Sequence, residues 1–548
     1  MSTLPPSSLA ADPVTAGYDA ASGVVTDARR RRNILIAMIL ALIGVVASVS
    51  GLNVAQQQLA VDLGASQSQL LWIINGYTMA LAALLMPIGA IGDRWGRKPI
   101  LLAGLTLFAV SNVFAALATT TTALLVARVG AGAAAAMIMP VTLSVITSSF
   151  PIEERAKAVG TWSGFAGAGG ILGLFVSSFL IDRVSWPWLF VMPIAFAVVA
   201  FAMTWRFVGN SREDKVGRFD VAGSILSAIA IGALVLGIHE GPERGWTDTL
   251  TMGGVIVGIV ALVAFVAWEL RAAHPILDLR VFRNRDLAAG SVTLLIVFAV
   301  LMGIFLVLVQ FLQTVAGYSA LRAAAGLLPM AAVMMPLSTV APTIAKRIGQ
   351  RRTLLIGSAL FASGLALLAT MVSVEGGYWS ILPGLLVLGV GIGLLMSPST
   401  TAITESLPEE HQGVASALND TVREFGGAVG IALLGSVLNA GYRSSVSAST
   451  SELSPELAHR VEEGIGSAYA SSGELGAQAP QVLDAARHAL VHGWQLSMWV
   501  SVAMAAAVFL FLAVRGPARR TREPGLSSID ELDEVSIDGP VLVGALAD

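Results

Sequence analysis

The sequence predicts an all-α polytopic membrane protein with fourteen spans, arranged as two six-helix bundles plus two inserted helices. Three observations carry that expectation. Of 548 residues, 55% are hydrophobic and only 13% are charged, against about 25% charged in an ordinary soluble protein. The apolar residues come in blocks that reach the roughly 20 residues a helix needs to cross a bilayer. The loops between blocks concentrate basic residues on alternate sides, and one such loop occurs twice.

The blocks fall at 33–55, 70–91, 99–118, 121–149, 157–180, 186–207, 219–238, 250–270, 287–314, 325–345, 353–372, 379–403, 413–438 and 493–514. Residues 1–32 read as a disordered tail, Ser/Ala/Pro-rich and without an apolar period before Arg29–Arg32. The apolar run from Ile34 to Ala55 exceeds the roughly 7–15 residues of a signal-peptide core, so an anchored first helix is expected. The bundles are placed at 33–210 and 281–515, with the inserted pair and its flanking loops at 211–280. The segment 440–491 is read as an outward, solvated loop, in which Pro455–Gly464 and Val482–Val491 form short amphipathic helices. Residues 516–548, with Asp530, Glu531, Asp533 and Glu534, form an acidic disordered tail.

Orientation follows from counting Lys and Arg in the loops. If Arg29–Arg32 are cytoplasmic, about 25 of the 33 basic residues fall on that side. Arg183, Arg244, Arg322, Arg443, Arg460 and Arg487 lie outside, while Arg128 and Arg423 fall within spans. Both termini are then cytoplasmic, as an even number of spans requires.

The duplicated loop is the most informative stretch. Gly89-Ala90-Ile91-Gly92-Asp93-Arg94-Trp95-Gly96-Arg97-Lys98 turns the second block into the third, and Lys346-Arg347-Ile348-Gly349-Gln350-Arg351-Arg352 turns the tenth into the eleventh. Aligned on Gly96 and Gly349, the second copy keeps its basic residues but has Lys346 near the place of the acid. Repeated six-helix halves are a known transporter construction, which makes blocks 1–6 and 9–14 the halves.

Several chemistries are excluded by composition. The chain has no cysteine, hence no disulfide framework, thiolate metal site or Cys nucleophile. Its four lysines, Lys98, Lys157, Lys215 and Lys346, do not follow glycine, so there is no Gly-Lys-Ser/Thr loop to hold a nucleotide. No metal-ligand cluster is evident, and an enzyme is the least favoured class. The partners expected are the bilayer and a small hydrophobic substrate, with no nucleotide, no nucleic acid, no metal and no cofactor; the chain is taken as a monomer.

A charge near the bilayer centre costs about 2.5–3.5 kcal/mol on insertion scales, so charges inside spans rank first as functional candidates. Asp420, Arg423 and Glu424 on the thirteenth block stand at i, i+3 and i+4 and share a helix face. Two carboxylates against one guanidinium leave a negative charge over. An acid alternately reached by and withdrawn from water can take up and release a proton. The bland alternative is a structural ion pair in which Arg423 satisfies both acids.

Arg128 stands alone in the fourth block among small residues and needs an acceptor or a water-filled cavity. Gly160, Gly169 and Gly173 on the fifth block suit close approach of helix backbones. Asn53, Asn75, Tyr77, Asn112, Gln310 and Gln313 are polar groups that could line a cavity, and Gln310 and Gln313 share one face.

Over residues 33–515 these features together resemble the major facilitator superfamily, in particular its fourteen-span drug:proton antiporter branch. The Gly89–Lys98 loop matches the signature Gly-x-x-x-Asp-Arg-x-Gly-Arg-Lys. That resemblance implies the major facilitator fold and a conformational lock on the cytoplasmic side formed by Gly89, Asp93, Arg94, Gly96, Arg97 and Lys98; with Lys346 in the second copy, the lock is expected to be one-sided. It also implies a proton-transfer role for Arg128 and an antiporter motif at Gly160, Gly169 and Gly173. The sequence departs from the family at Ser48, where many drug exporters carry an acid, and at Leu174, where the antiporter motif has proline. Proton coupling is therefore expected to lean on Asp420 and Glu424.

The function so implied is proton-coupled export of hydrophobic or cationic drugs, with the proton gradient as the energy source. Export of one natural product or metabolite is the alternative, and a transport-inactive receptor or scaffold is the alternative of another class.

Overall fold

Each apolar block becomes a helix, because backbone N–H and C=O groups without water must satisfy one another. The computed structural model describes residues 24–211, 219–407, 411–451 and 453–517. Its long helices are α1 (Ala28–Leu63), α2 (Gln67–Trp95), α3 (Arg97–Ala116), α4 (Thr121–Ser149), α5 (Ile152–Ile181), α6 (Val191–Phe207), α7 (Val221–Arg244) and α8 (Thr249–Glu269). They continue with α9 (Arg285–Gln310), α10 (Ala320–Ile348), α11 (Gln350–Met371), α12 (Gly377–Thr404) and α13 (Gln412–Thr450). After the short helices α14 (Pro455–Glu463), α15 (Ile465–Ala470) and α16 (Ser472–Leu475) comes α17 (Ala479–Arg515). Among the described residues, fourteen helices are long and apolar enough to cross a membrane.

Local chemistry sets several starts. Ser66 and Gln69 form a reciprocal capping box on α2, Thr120 caps α4, and Asp220 caps α7 through Gly223 N–H. The two loop copies close alike. Gly96 (φ 104°, ψ 140°) and Gly349 (φ 92°, ψ 142°) adopt the same left-handed conformation, each donating its N–H back to the preceding helix. A side chain is disfavoured there, which explains the glycine that aligns the repeat.

Helices α1–α6 enclose one apolar core, with Met38, Tyr77, Phe108 and Trp162. Helices α9–α13 and α17 enclose the other, with Phe311, Phe361, Leu368 and Trp494. The halves meet where α2 and α4 pack on α13 and where α5 packs on α10 and α12. The inserted α7 lies along both α2 and α13, burying Val235 against Ala82 and Ala428. Helix α8 packs on α7 and leaves Val257, Val260 and Val263 exposed, as a lipid-facing helix would.

Two expectations need correction. Arg29–Arg32, assigned to a tail ending at residue 32, belong to α1, which begins at Ala28; Val25 before it is buried and donates its N–H to Ser149 O. Residues 1–23 and 518–548, expected to be disordered, lie outside the described residues. The segment 440–491 is a packed cap rather than a solvated loop. Val461, Ile465, Ala468 and Leu475 join the second core, Tyr442 OH bonds Val461 O, and Tyr469 OH bonds Thr314 O. Pro455–Glu463 is helical as expected, whereas Val482–Val491 forms the beginning of α17.

Candidate functional site

At the end of the bundle that carries the basic loops, α2 and α13 touch backbone to backbone. A Cβ on Gly89 would lie 2.7 Å from Gly413 O, and one on Gly413 would lie 2.5 Å from Gly89 O. One turn beyond, Asp93 is 1% exposed and accepts from Gly413 N (2.8 Å) and Val414 N (3.1 Å). The residue before helix α13, His411, makes no side-chain cap, and Asp93 caps the helix from the other half. A carboxylate is favoured at a helix N-terminus by the unpaired N–H groups and the helix dipole. Arg97, 2% exposed, donates to Asp93 at 3.2 Å and completes the charge balance.

The other residues of this loop do different work. Gly96 makes the turn, with Asn210 against it. Arg94 is half-buried in the last turn of α2. Lys98 donates to Trp205 O on α6 at 3.0 Å, which anchors the loop to its own half rather than across to the other.

The second copy also crosses, contrary to the one-sided lock expected. Lys346 Nζ donates to Glu153 O in the first turn of α5 at 3.2 Å. Nearby, Ser338 Oγ donates to Gly160 O at 3.0 Å, and a Cβ on Gly160 would lie 2.7 Å from Ser338 O. The bonds of Ser338 to Gly160, of Lys346 to Glu153 and of Gly413 and Val414 to Asp93 each join the two halves toward this basic end.

Gly160, Gly169 and Gly173 do not form one face. Nine residues at about 100° each turn the helix by half a revolution, so Gly160 meets α10 while Gly169 meets Val46 of α1. Gly173 is buried. The partner of Gly160 on the α10 face is Gly164, which packs on Met335 and Ser338; its four-residue spacing was readable in the sequence.

Deeper in α13 lies the charged group. Asp420 is fully buried, with Arg423 at 3.7 Å and Asn419 Nδ2 donating to it at 3.0 Å. The Arg423 guanidinium lies 5.1 Å from the Trp162 ring of α5 and 4.8 Å from the Phe298 ring of α9, a cation–π arrangement across the seam. The sequence reading missed both rings, because nothing local marks a Trp or Phe as facing a distant arginine. Asp420 Oδ2, Asn419 Oδ1, Arg423 Nε and Arg423 Nη2 are buried without a hydrogen-bond partner among the described residues. Glu424 is half-buried and makes no hydrogen bond or ion pair among the described residues. Among the described residues Arg423 pairs directly with Asp420, while Glu424 lies within its electrostatic reach.

Arg128 in α4 is 1% exposed; its Nη1 donates to Ser48 Oγ at 3.0 Å and its guanidinium lies 4.3 Å from the Tyr77 ring. Tyr77 is wholly buried and donates its hydroxyl to Val45 O at 3.2 Å, so it supports Arg128 instead of lining open space. Tyr77 also lies within electrostatic reach of Glu424. Asn75 is half-buried on α2, and Asn112 is buried with its Nδ2 on Phe108 O. The side chain of Asn53 lies outside the described residues. Gln310 and Gln313 are exposed at the far end of α9, Gln313 within a π turn at Phe311–Val315. Gln310 is about 16 Å further along the helix than Ala299, which packs on Gly430, so neither glutamine joins the charged group.

Two helical halves, closed at one end by a helix cap exchanged between them and carrying charges at their seam, define a membrane transport protein. Comparison with known proteins gives the family. The Major Facilitator Superfamily profile matches residues 34–431, and the chain belongs to that family. It is 30% identical over 505 residues to a "Tetracenomycin C resistance and export protein" of Streptomyces glaucescens, covering 89% of this chain and 90% of the relative. It is 32% identical to "Multidrug efflux pump LfrA" of Mycolicibacterium smegmatis over 79% of this chain and 86% of that protein. It is 31% identical to "Multidrug resistance protein Stp" of Mycobacterium tuberculosis over 71% and 72%. Among solved structures, the proton:xylose symporter XylE aligns with a TM-score of 0.56 at 14% identity, covering 89% of this chain and 96% of that one. That likeness concerns the fold alone.

Proposed function

We propose that this multi-pass membrane protein is a drug exporter of the cell membrane, driven by proton entry, with Glu424 and Asp420 as the coupling acids. The observation that carries the coupling assignment is Glu424, a half-buried carboxylate on α13 that forms no ion pair or hydrogen bond among the described residues. Relatives named for multidrug efflux and antibiotic export support the transport reading. The basic loops are taken as cytoplasmic, so the Asp93 contact closes the cytoplasmic side. Export requires that contact to part so that α2 slides from α13 while α5 slides from α10.

The chemistry is electrostatic. A proton arriving at Asp420 removes its attraction for Arg423, while the Trp162 and Phe298 rings continue to hold the guanidinium. The proton is thereby felt at α5 in the other half. Glu424, with no guanidinium of its own, can then take a proton or a cationic group of the substrate.

Proteoliposomes with an imposed pH gradient test the assignment. Glu424→Gln and Asp420→Asn should each lower proton-driven drug export by at least about tenfold at normal protein levels, which corresponds to about 1.4 kcal/mol. Wild-type transport by both variants would remove these acids from the coupling. Several relatives are named for a single compound, the Streptomyces glaucescens protein among them, which keeps a dedicated natural-product exporter as the second reading. A susceptibility screen with and without a protonophore separates the two by the number of compounds affected.

A further inference from the structure

We propose that Arg128 anchors an anionic group of the transported compound, so that hydrophobic carboxylic acids are among the substrates; this rests on the transport reading above. Among the described residues, three arginines are exposed by less than 3%. Arg97 has Asp93 and Arg423 has Asp420. Arg128 has no acid: among the described residues, Tyr77 is the one titratable side chain within its electrostatic reach.

Its contacts leave the charge unbalanced. Nη1 donates to the neutral Ser48 Oγ at 3.0 Å, Nε reaches Ile73 O at 3.4 Å, and Tyr77 covers one face. Nη2 is buried with no hydrogen-bond partner among the described residues. A buried charge without a counter-ion is strongly disfavoured, and a guanidinium fork matches a carboxylate with two parallel bonds. Ser48, 5% exposed, accepts from Nη1 and keeps a hydroxyl proton that can be donated to a ligand oxygen.

The position suits a passing substrate. Arg128 lies seven residues into α4, about 10 Å from the end opposite the Asp93 closure. Tyr77, whose ring it covers, is also within electrostatic reach of Glu424 on the other half. A compound bearing a carboxylate near Arg128 would therefore lie at the seam where the halves move. An inorganic anion offers the same charge, and the experiment separates the two.

The test is thermal unfolding of the purified full chain with sodium benzoate, sodium chloride or neutral benzamide, at matched ionic strength. Benzoate should raise Tm by several degrees above the other two in wild type and in Ser48→Asn. In Ser48→Asp the new carboxylate should raise Tm without ligand and abolish the benzoate shift. Wild type alone decides the matter if the Asp variant fails to fold. A benzoate effect no larger than that of chloride or benzamide, or one undiminished in a folded Ser48→Asp protein, would overturn the proposal. In proteoliposomes, export of rhodamine 110 relative to its methyl ester rhodamine 123 should fall about tenfold in Ser48→Asp. Failure of wild type to export either dye, with the benzoate shift intact, would sink the exporter reading and leave the anion site standing.

Discussion

The two copies of the helix-joining loop have the same backbone and opposite chemistry. Gly96 and Gly349 share a conformation, and each preceding helix sends a charged side chain across to the other half. Asp93 enters a buried helix N-terminus and meets two N–H groups with Arg97 beside it. Lys346 stays exposed and meets one carbonyl. A carboxylate complements the positive end of a helix, whereas a lysine there is repelled by the dipole. Duplication preserved the turn, and divergence left one strong closure and one weak one.

Asp93→Asn should break that inequality with the largest effect. Losing charge-assisted bonds costs about 1.5–3 kcal/mol, a shift of roughly ten- to 150-fold away from the closed basic end. The cysteine-free chain permits a direct reading: a cysteine at Ala90 should label at least about tenfold faster with a water-soluble maleimide in the Asp93→Asn background. Unchanged labelling would mean that Asp93 does not hold α13.

The glycines give an intermediate effect. A residue forced into their left-handed conformation costs about 1–3 kcal/mol, so Gly96→Ala and Gly349→Ala should both lower Tm. Gly96→Ala should lower it more, because its Cβ would meet Asn210 Oδ1 at 2.5 Å whereas none of the described residues lies within 4 Å of a Cβ at Gly349. Equal losses would leave the Asn210 contact without consequence. Lys346→Ala should matter least: an exposed charged contact contributes about 0–1 kcal/mol, less than a fivefold change in the same Ala90 labelling assay. An effect as large as that of Asp93→Asn would make the two closures equal after all.

Much of the site was legible because it depends on charge in an apolar segment. Asp93, Arg128, Asp420, Arg423 and Glu424 stand out in any reading that charges a cost for burying them. Their partners did not stand out. Gly413, Trp162, Phe298 and Gly164 carry no charge, and they acquire meaning from helices more than a hundred residues away. Gly169 was grouped with Gly160 by motif spacing, although half a turn separates their faces.

Sequence alone determined the fourteen spans and the internal repeat. Hydropathy and glycine-dependent turns act over a few residues at a time, so they are written locally. The tertiary structure decided which charges are compensated. Arg97 and Arg423 find acids within a helical turn of themselves or across the Gly96 bend, but Arg128 finds Ser48 and Tyr77. Electrostatic balance is a sum over neighbours in space, and the packing of α1, α2 and α4 chose those neighbours.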